Sequence, residues 1–275
     1  MKNIDKKTVD SFGDEWGRFD QGGLISAEAN KIFDNYFSIF PWDKLPKTAV
    51  GFDMGCGSGR WAKLLAPRVS HLICIDPSTY ALDIAKETLK ELDNVSFKLG
   101  SVDDRLLPES SQDFGISLGV LHHVPDTLSA IKSCVAMLKP GAPFLVYLYY
   151  AFDNRSLFFR LIWKCSDYIR QVICLLPPTI KHLFTDILAV VLYFPLARFS
   201  RVVELLGLSV DSIPLSFYRN LSFYTMRTDS RDRFGTPLEL RFTRNEIANM
   251  MDKAGLQEVL FSDRRPYWCA VGIKK

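Results

Sequence analysis

Short apolar runs alternate with amphipathic segments from Thr48 to Tyr150, and no other feature limits the fold as strongly. Five runs have the length and nearly continuous apolar character of strands buried on both faces: 48–53, 71–76, 95–99, 113–118 and 143–150. Three segments between them carry apolar residues at helical spacing: 59–69, 79–92 and 126–138. Because crossovers between parallel strands are right-handed, this order predicts a doubly wound, Rossmann-like α/β sheet.

The same alternation resumes near the carboxyl end. Thr243 and Glu246 predict a capping box that opens a helix, Gly255 supplies its stop signal, and strands follow at 257–261 and 267–273. The pattern predicts three parts: an N-terminal helical cap or lid at 1–47, a core made of 48–150 and 241–275, and an insertion at 151–240.

The composition is that of an ordinary globular protein, with 48% apolar residues and a net charge of +3. It lacks the clustered basic stripe that would make nucleic acid the default partner. The first ten residues, MKNIDKKTVD, precede no apolar run, which predicts a cytoplasmic protein without a secretory signal. Six cysteines without paired CxxC spacing predict reduced thiols and no metal site.

The insertion combines apolar helices with a polar segment. Pro177 and Pro178 separate two helical stretches, and an arginine-rich, aromatic loop is expected at 217–235. The longest uncharged run, 187–197, has eleven residues, whereas a membrane span needs about 20, so no transmembrane helix is expected. The amphipathic run 157–176 predicts a helix packed on its neighbour, with contact to a membrane surface as the alternative.

The strongest chemical signal is VGFDMGCGSGR at 50–60, which follows a strand and precedes a helix. Gly55, Gly57 and Gly59 let the backbone turn sharply and approach a ligand closely, because glycine has no Cβ. The spacing is G-x-G-x-G rather than the G-x-G-x-x-G of dinucleotide-binding proteins. A nicotinamide enzyme is therefore disfavoured.

Acidic residues follow the first three strands. Asp76 ends the second strand, 21 residues after Gly55, where a carboxylate can accept hydrogen bonds from ribose hydroxyls. Asp53 stands two residues before Gly55, and Asp103 follows the third strand. A carboxylate beside the glycine turn favours a cationic group, and S-adenosylmethionine carries an ammonium and a sulfonium where NAD carries two phosphates.

The segments DMGCGSGRWA, ICIDPS, GSVDD, LGVLHHVPD and LKPGAPFLVYLY resemble the successive motifs of the class I S-adenosylmethionine-dependent methyltransferases. The resemblance covers residues 48–150. It implies a seven-stranded sheet in the order 3-2-1-4-5-7-6 with an antiparallel seventh strand. The position after Gly100, often acidic in the family, is Ser101, and Asp103 is the candidate substitute.

The resemblance also implies how the cofactor is held. Asp53 would support its ammonium, Asp76 its ribose, residues 102–103 its adenine, and the backbone of 118–119 its amino acid part. The predicted cofactor-binding residues are Trp16, Arg18, Asp53, Gly55, Cys56, Gly57, Ser58, Gly59, Asp76, Pro77, Ser78, Val102, Asp103, Leu118, Gly119 and His122.

Several of these residues have a plainer interpretation. Residues 12–20 form either a helix that caps the sheet or a lid in which Arg18 meets the cofactor carboxylate and Trp16 the sulfonium. Cys56, inside the glycine turn, is expected to be a small packing residue. His122 either lines the cofactor pocket or acts as a base, since imidazole titrates near neutral pH.

His122 and Tyr149 are the candidate catalytic residues. The candidate substrate-binding residues are aromatic or basic: Tyr147, Tyr149, Tyr218, Tyr224, Arg227, Arg231 and Arg233. A solvated loop or plain packing accounts for them too, but arginines interleaved with aromatic rings also suit an anionic substrate group.

The sequence thus predicts a methyltransferase that moves a methyl group by in-line displacement to an O, N or S atom of a small, amphipathic or anionic molecule. An enzyme that uses an NAD-type nucleotide is one alternative. The other is a non-catalytic, S-adenosylmethionine-binding module that contacts a membrane surface or a partner. The oligomeric state stays open.

Overall fold

The computed structural model describes residues 3–18 and 26–275, with side chains for residues 3–13 and 27–275. The chain divides into two compact units. The sheet unit comprises Met1–Gln21, Ala29–Ala151 and Leu238–Lys275, and the helical unit comprises Gly22–Glu28 and Phe152–Pro237.

Seven strands form the sheet unit together with the helices between them. The strands are β1 (Val50–Met54), β2 (His71–Asp76), β3 (Val95–Leu99), β4 (Phe114–Leu118), β5 (Pro143–Tyr147), β6 (Leu256–Phe261) and β7 (Cys269–Lys274). The helices are α1 (Lys6–Arg18), α2 (Ser26–Phe37), α3 (Arg60–Leu65), α4 (Thr79–Thr88), α5 (Thr127–Met137) and α10 (Arg244–Lys253).

The strand order is β3-β2-β1-β4-β5-β7-β6, with β7 antiparallel to β5 and β6. This confirms the doubly wound class and the implied order. β2 and β3 occupy the predicted residues, and the capping box of Thr243 and Glu246 is present. The predicted fifth strand was too long, since β5 ends at Tyr147, and the helix predicted over 59–69 ends at Leu65 and continues as a 3₁₀ turn.

Two hydrophobic clusters cover the two faces of the sheet. Ile131 of α5 and Met251 of α10 belong to one cluster. Phe33 of α2, Trp61 of α3 and Leu82 of α4 belong to the other. Strands covered on both faces carry apolar side chains in both directions, which explains their nearly continuous apolar sequences.

β1 and β4 meet through two reciprocal glycine–phenylalanine pairs. The register places Gly51 beside Phe114 and Phe52 beside Gly115. A Cβ on Gly51 would lie 2.5 Å from the Phe114 ring, and a Cβ on Gly115 would overlap the Phe52 ring. Both rings are fully buried, one in each cluster. Because neighbouring residues of a strand point to opposite faces, the two pairs lock the strands together on both faces.

The helical unit contains four main helices: α6 (Leu157–Ile173), α7 (Pro178–Leu188), α8 (Phe194–Leu205) and α9 (Phe223–Gly235). Pro177 and Pro178 separate α6 from α7, as predicted. A π-turn at Ala189–Tyr193 joins α7 to α8, so that one helix runs for 28 residues from Pro178 to Leu205.

The prediction of a loop over 217–235 is wrong for most of that segment. Ser222 caps α9 by accepting a hydrogen bond from the backbone N of Thr225 at 3.2 Å. The buried face of α9 includes polar residues such as Ser230 and Arg231. Apolar residues therefore do not recur at helical spacing, and the pattern that identifies helices is missing.

The helix Pro178–Leu205 is long and apolar enough to cross a membrane, and 28% of its most apolar window is buried. The expectation that no helix meets this criterion counted only uncharged residues and was too strict. The core helix of a soluble protein can have the same length and apolar composition, so these two properties alone do not show what this helix contacts.

Replacing Gly115 with Ala is expected to lower the free energy of unfolding by about 1–3 kcal/mol, because the new methyl group overlaps the buried Phe52 ring. Urea unfolding measures the change. Gly13→Ala is the matched control, since a Cβ there would contact only Ser78 Oγ at 3.4 Å. The control should be neutral or slightly stabilising. Equal stability of the Gly115→Ala variant and the wild type would contradict the locked pairing.

Candidate functional site

The glycine turn joins β1 to α3 through three residues with positive φ: Gly55 (+78°), Gly57 (+54°) and Gly59 (+81°). The backbone N atoms of Gly55 and Cys56 both donate to the carbonyl of Ile75, at 2.7 and 3.0 Å. A Cβ on Gly55 would overlap the side chain of Val120. Glycine is therefore required at this position by both backbone conformation and space.

Asp76 ties the end of β2 to this turn. One carboxylate oxygen accepts a hydrogen bond from the backbone N of Gly57 at 2.9 Å, and the other accepts from the N of Ser78 at 2.9 Å. Burial raises the pKa of Asp76 to about 6, against the lowering effect of these two bonds. Ser78, after Pro77, caps α4 by accepting from the N of Ala81. Each carboxylate oxygen keeps acceptor capacity for a further donor.

Asp53 has no such partners. It lies in β1, fully buried, and neither carboxylate oxygen has a hydrogen-bond partner within the described residues. Burial and the negative charge of Asp76 raise the pKa of Asp53 to about 7, while Arg60 lowers it. An ionised carboxylate in such a place is unstable without a cation or several donors. An ammonium group supplies both.

Other predicted cofactor residues lie around the same strand ends. The hydroxyl of Ser58 is buried without a partner in the described structure. Leu118 is buried, and Gly119 has a φ of +80° and donates its N–H to the carbonyl of Tyr147. A Cβ on Gly119 would meet nothing within 4 Å, so open space lies beside this backbone. A hydrogen bond with Cys74, followed by burial, raises the pKa of the Cys56 thiol, which makes it a poor nucleophile.

The segment after β3 is held from the N-terminal side. Asp103 accepts a hydrogen bond from the backbone N of Asn3, and the Asn3 amide donates to the carbonyl of Asp126 at 2.7 Å. Asp104 instead accepts from the backbone and hydroxyl of Ser101. Asn3 was missed by the sequence analysis, since a single asparagine carries no local signal. Val102 is buried here, as an adenine contact requires.

His122 lies in a ring stack at the carboxyl ends of β4 and β5. It is fully buried, 3.9 Å between centroids from both Tyr149 and His123. Neither ring nitrogen of His122 has a hydrogen-bond partner in the described structure. Burial, then the neighbouring His123 and Arg241, hold the pKa of His122 well below its usual value. The ring is therefore neutral at physiological pH and can accept a proton.

Two residues that the sequence did not single out complete this cluster. The Arg241 guanidinium lies 5.0 Å from the Tyr149 ring and forms a 2.7 Å ion pair with the buried Glu239. Tyr36 of α2 makes an edge contact with Tyr147 at 5.1 Å. Both positions are far from the strand ends in sequence, and only tertiary folding brings them there.

The remaining predicted substrate residues belong to the helical unit. Arg227 forms a two-pronged ion pair with Asp186 at 2.6 and 2.7 Å. Arg233 lies 3.6 Å from Asp167, and Arg231 is 1% exposed. The Tyr218 ring contacts the Tyr193 ring at a tilt, with centroids 5.4 Å apart, and Tyr224 lies on α9. Their role as substrate ligands stays a prediction.

Trp16 and Arg18 lie in the last turn or two of α1, and their side chains lie outside the described residues. Their predicted contacts with the cofactor remain a prediction. Across the described ranges 3–18 and 26–275, no group of three or more potential metal ligands is present.

Asp53→Asn is expected to stabilise the ligand-free protein above neutral pH. The folded pKa of Asp53, about 7, lies above the ordinary 3.8, so the native state loses stability as pH rises through about 7. The free energy of unfolding of the variant should exceed that of the wild type by roughly 2–4 kcal/mol at pH 8, and this difference should shrink towards acid pH. Urea unfolding across pH measures it. Asp83→Asn, on the exposed side of α4, is the control. A difference independent of pH would contradict the buried charge.

Comparison with known proteins finds similarity to methyltransferases. Residues 52–146 match the family model described as a methyltransferase domain. A ubiquinone biosynthesis O-methyltransferase from Coxiella burnetii is 27% identical over 165 residues, which cover 56% of this chain and 65% of that protein, just under two thirds. The protein of the same name from Actinobacillus pleuropneumoniae is 27% identical over 188 residues, 63% of this chain and 76% of the relative.

A likeness in fold extends further along the chain. An O-methyltransferase family protein from Burkholderia thailandensis matches with a TM-score of 0.54 and 16% identity, over 97% of this chain and 59% of that one. The match to a methyltransferase domain covers residues 52–146, which is 95 of the 275 residues of this chain.

Proposed function

We propose that this protein is a methyltransferase that transfers the methyl group of S-adenosylmethionine to a small molecule. The observation that carries the proposal is Asp53, a fully buried carboxylate without a partner beside a turn of positive-φ glycines. A phosphate-bearing dinucleotide would meet repulsion there, whereas the ammonium of S-adenosylmethionine compensates the charge.

The residues of the sheet unit fit the cofactor part by part. Asp53 would accept hydrogen bonds from the ammonium group, and the cation would lower the pKa of the carboxyl. Asp76, already oriented by the backbone of Gly57 and Ser78, would accept from the ribose hydroxyls. The open side of the Gly119 backbone leaves room for the amino acid part.

S-adenosylmethionine supplies an electrophilic methyl group whose C–S bond electrons stay with sulfur as the thioether leaves. The protein then has to orient the acceptor, exclude water and take up its proton. His122 suits the last task because it is neutral, buried and unpaired in the described structure. It would accept the proton of an acceptor hydroxyl while Tyr149 holds the imidazole plane by stacking.

We propose an oxygen atom of an aromatic or amphipathic molecule as the acceptor. The names of the two relatives support oxygen. The rings of Tyr36, Tyr147 and Tyr149 supply an aromatic surface near His122. An anionic end held by Arg227 and Arg233 has less support, since Asp186 and Asp167 already lie against these guanidinium groups.

A cytoplasmic location and a role in small-molecule metabolism are part of the same proposal. The six cysteines support the location, because none is in a disulfide and four are buried.

S-adenosylhomocysteine is expected to raise the melting temperature of the protein by several degrees. At about 100 times its Kd, a ligand of the native state adds about 2.7 kcal/mol to the free energy of unfolding. Thermal-shift measurements should show this effect with S-adenosylhomocysteine and not with NAD. The Asp53→Asn variant should show no rise in melting temperature with S-adenosylhomocysteine, and the exposed control Asp83→Asn should show the same rise as the wild type. A shift with NAD alone would refute the proposal.

His122→Gln is expected to lower kcat by about 10²–10⁴ with little change in the KM for S-adenosylmethionine, because only proton acceptance is lost. His71→Gln, which alters a histidine hydrogen-bonded to Ser96 at the start of β2, is the control. Because the pKa of His122 is lowered, the wild-type rate should stay level below pH 6.5. An unchanged kcat in the His122 variant would remove this residue from the mechanism.

A further inference from the structure

The helical unit exposes a large apolar surface. Three consecutive residues of the π-turn, Val190, Val191 and Leu192, are exposed, so the exposed apolar surface is wide at this point of the helix. Exposed large apolar residues continue along both long helices: Leu157, Phe158, Leu161, Ile162, Tyr168, Ile169 and Val172 on α6, and Ile180, Leu183, Phe184, Ile187, Phe194, Phe199 and Val202 on α7 and α8.

The buried side of the helix Pro178–Leu205 is more polar than its exposed side. Its buried residues recur every three or four positions: Lys181, Thr185, Ala189, Tyr193, Ala197 and Ser200. Lys181 donates to the carbonyl of Gly235 at 3.3 Å, and Ser230 of α9 donates to the carbonyl of Thr185 at 2.8 Å. Polar groups therefore join this helix to α9 alongside a small apolar cluster that includes Tyr193, Ala197, Met226 and Phe234.

Charged groups also lie between the helices. Arg170 of α6 is buried and donates to the carbonyls of Thr236 and Pro237, and Arg227 pairs with Asp186. Water favours the reverse arrangement, with apolar residues inside and polar residues outside. Polar residues inside a helical assembly and apolar residues outside are the arrangement that lipid favours.

We propose that the helical unit docks on the surface of an anionic lipid bilayer, with the exposed apolar residues of α6, α7 and α8 inserted at the interface. Residues 152–237 contain eleven basic and seven acidic side chains, an excess of four, although the whole chain has a net charge of only +3. Lys164 and Arg201 are exposed basic residues on α6 and α8. Basic groups beside an inserted apolar face attract anionic headgroups.

Surface docking accounts for the helices better than a single span does. α6 has 17 residues, fewer than the ~20 that a span requires, yet its exposed residues are as apolar as those of α7 and α8. A lone span by Pro178–Leu205 would leave the exposed face of α6 in water and would expose Lys181 and Thr185 to lipid. A bilayer surface takes up the apolar faces and leaves the polar contacts with α9 intact.

A lipid surface also fits better than a second copy of the chain. A protein partner covers one stripe of a helix, whereas apolar residues of α7 and α8 are exposed on almost every side other than the buried stripe. Lipid chains adapt to such a broad surface, and a rigid helix packed along one ridge does not.

Flotation of the full chain with phosphatidylcholine vesicles, with and without phosphatidylglycerol, tests the proposal. The wild type is expected to float with the anionic vesicles. Leu183→Ser with Val191→Ser should lower the partition coefficient at least about tenfold, because two exposed apolar groups are lost. The matched control is Leu99→Ser with Leu260→Ser, which removes equally exposed leucines of the sheet unit and should float like the wild type.

The charge contribution is tested by Lys164→Glu with Arg201→Glu, expected to weaken binding to anionic vesicles by more than about tenfold and binding to neutral vesicles hardly at all. Circular dichroism and urea unfolding check that each variant is folded. These readouts require no methyl transfer, so failure of the membrane proposal leaves the proposed function untouched.

Four outcomes would overturn the proposal. In the first, the wild type would stay unbound with both kinds of vesicle. In the second, the variant Leu183→Ser with Val191→Ser would float like the wild type. In the third, the protein in native membranes would resist alkaline carbonate extraction, which indicates a transmembrane span. In the fourth, no flotation would occur and light scattering would find a dimer that dissociates in the Leu183→Ser, Val191→Ser variant, which indicates an interface between copies of the chain.

Discussion

The pairing of β1 with β4 is the constraint on which the site depends. Gly51 accommodates Phe114 on one face, and Gly115 accommodates Phe52 on the other, so that a shift of one residue would place two rings against side chains instead of glycines. This register brings the carboxyl ends of the two central strands to the same edge of the sheet. From β1 the chain continues to β2 and β3 on one side, and from β4 it continues to β5 on the other side. Open α/β sheets bind their ligands where the strand order reverses in this way.

Two buried carboxylates at that edge are prepared in different ways. Asp76 receives two backbone N–H groups and helps to set the glycine turn, so it is part of the folded framework even without a ligand. Asp53 receives none in the described structure, and burial together with the charge of Asp76 raises its pKa to about 7, against the opposing effect of Arg60. The buried charge of Asp53 lowers the stability of the ligand-free protein and favours the binding of a cationic ligand, and such local destabilisation is common at binding sites.

The helical unit differs from the sheet unit in the balance of apolar and polar contacts between its helices. Clusters of fully buried apolar residues hold the sheet and its helices together. In the helical unit, a smaller cluster of buried apolar residues is joined by hydrogen bonds and ion pairs such as Arg227–Asp186 and Arg170–Thr236, and many large apolar residues of α6, α7 and α8 are exposed. The outer surface of the helical unit is therefore rich in large apolar side chains, and this exposure is the basis of the membrane-docking proposal.

The sequence determined the sheet and the cofactor turn, because both leave local signals. Apolar runs, glycine spacing, the Thr243–Glu246 capping box and the acidic strand ends are legible without tertiary contacts, and the resemblance supplied the strand order. Only the tertiary structure decided that 223–235 is a helix, that Arg241 and Asn3 join the site, and that Arg227 faces Asp186. These features depend on polar side chains that meet partners far away in sequence, and no periodicity marks such pairs.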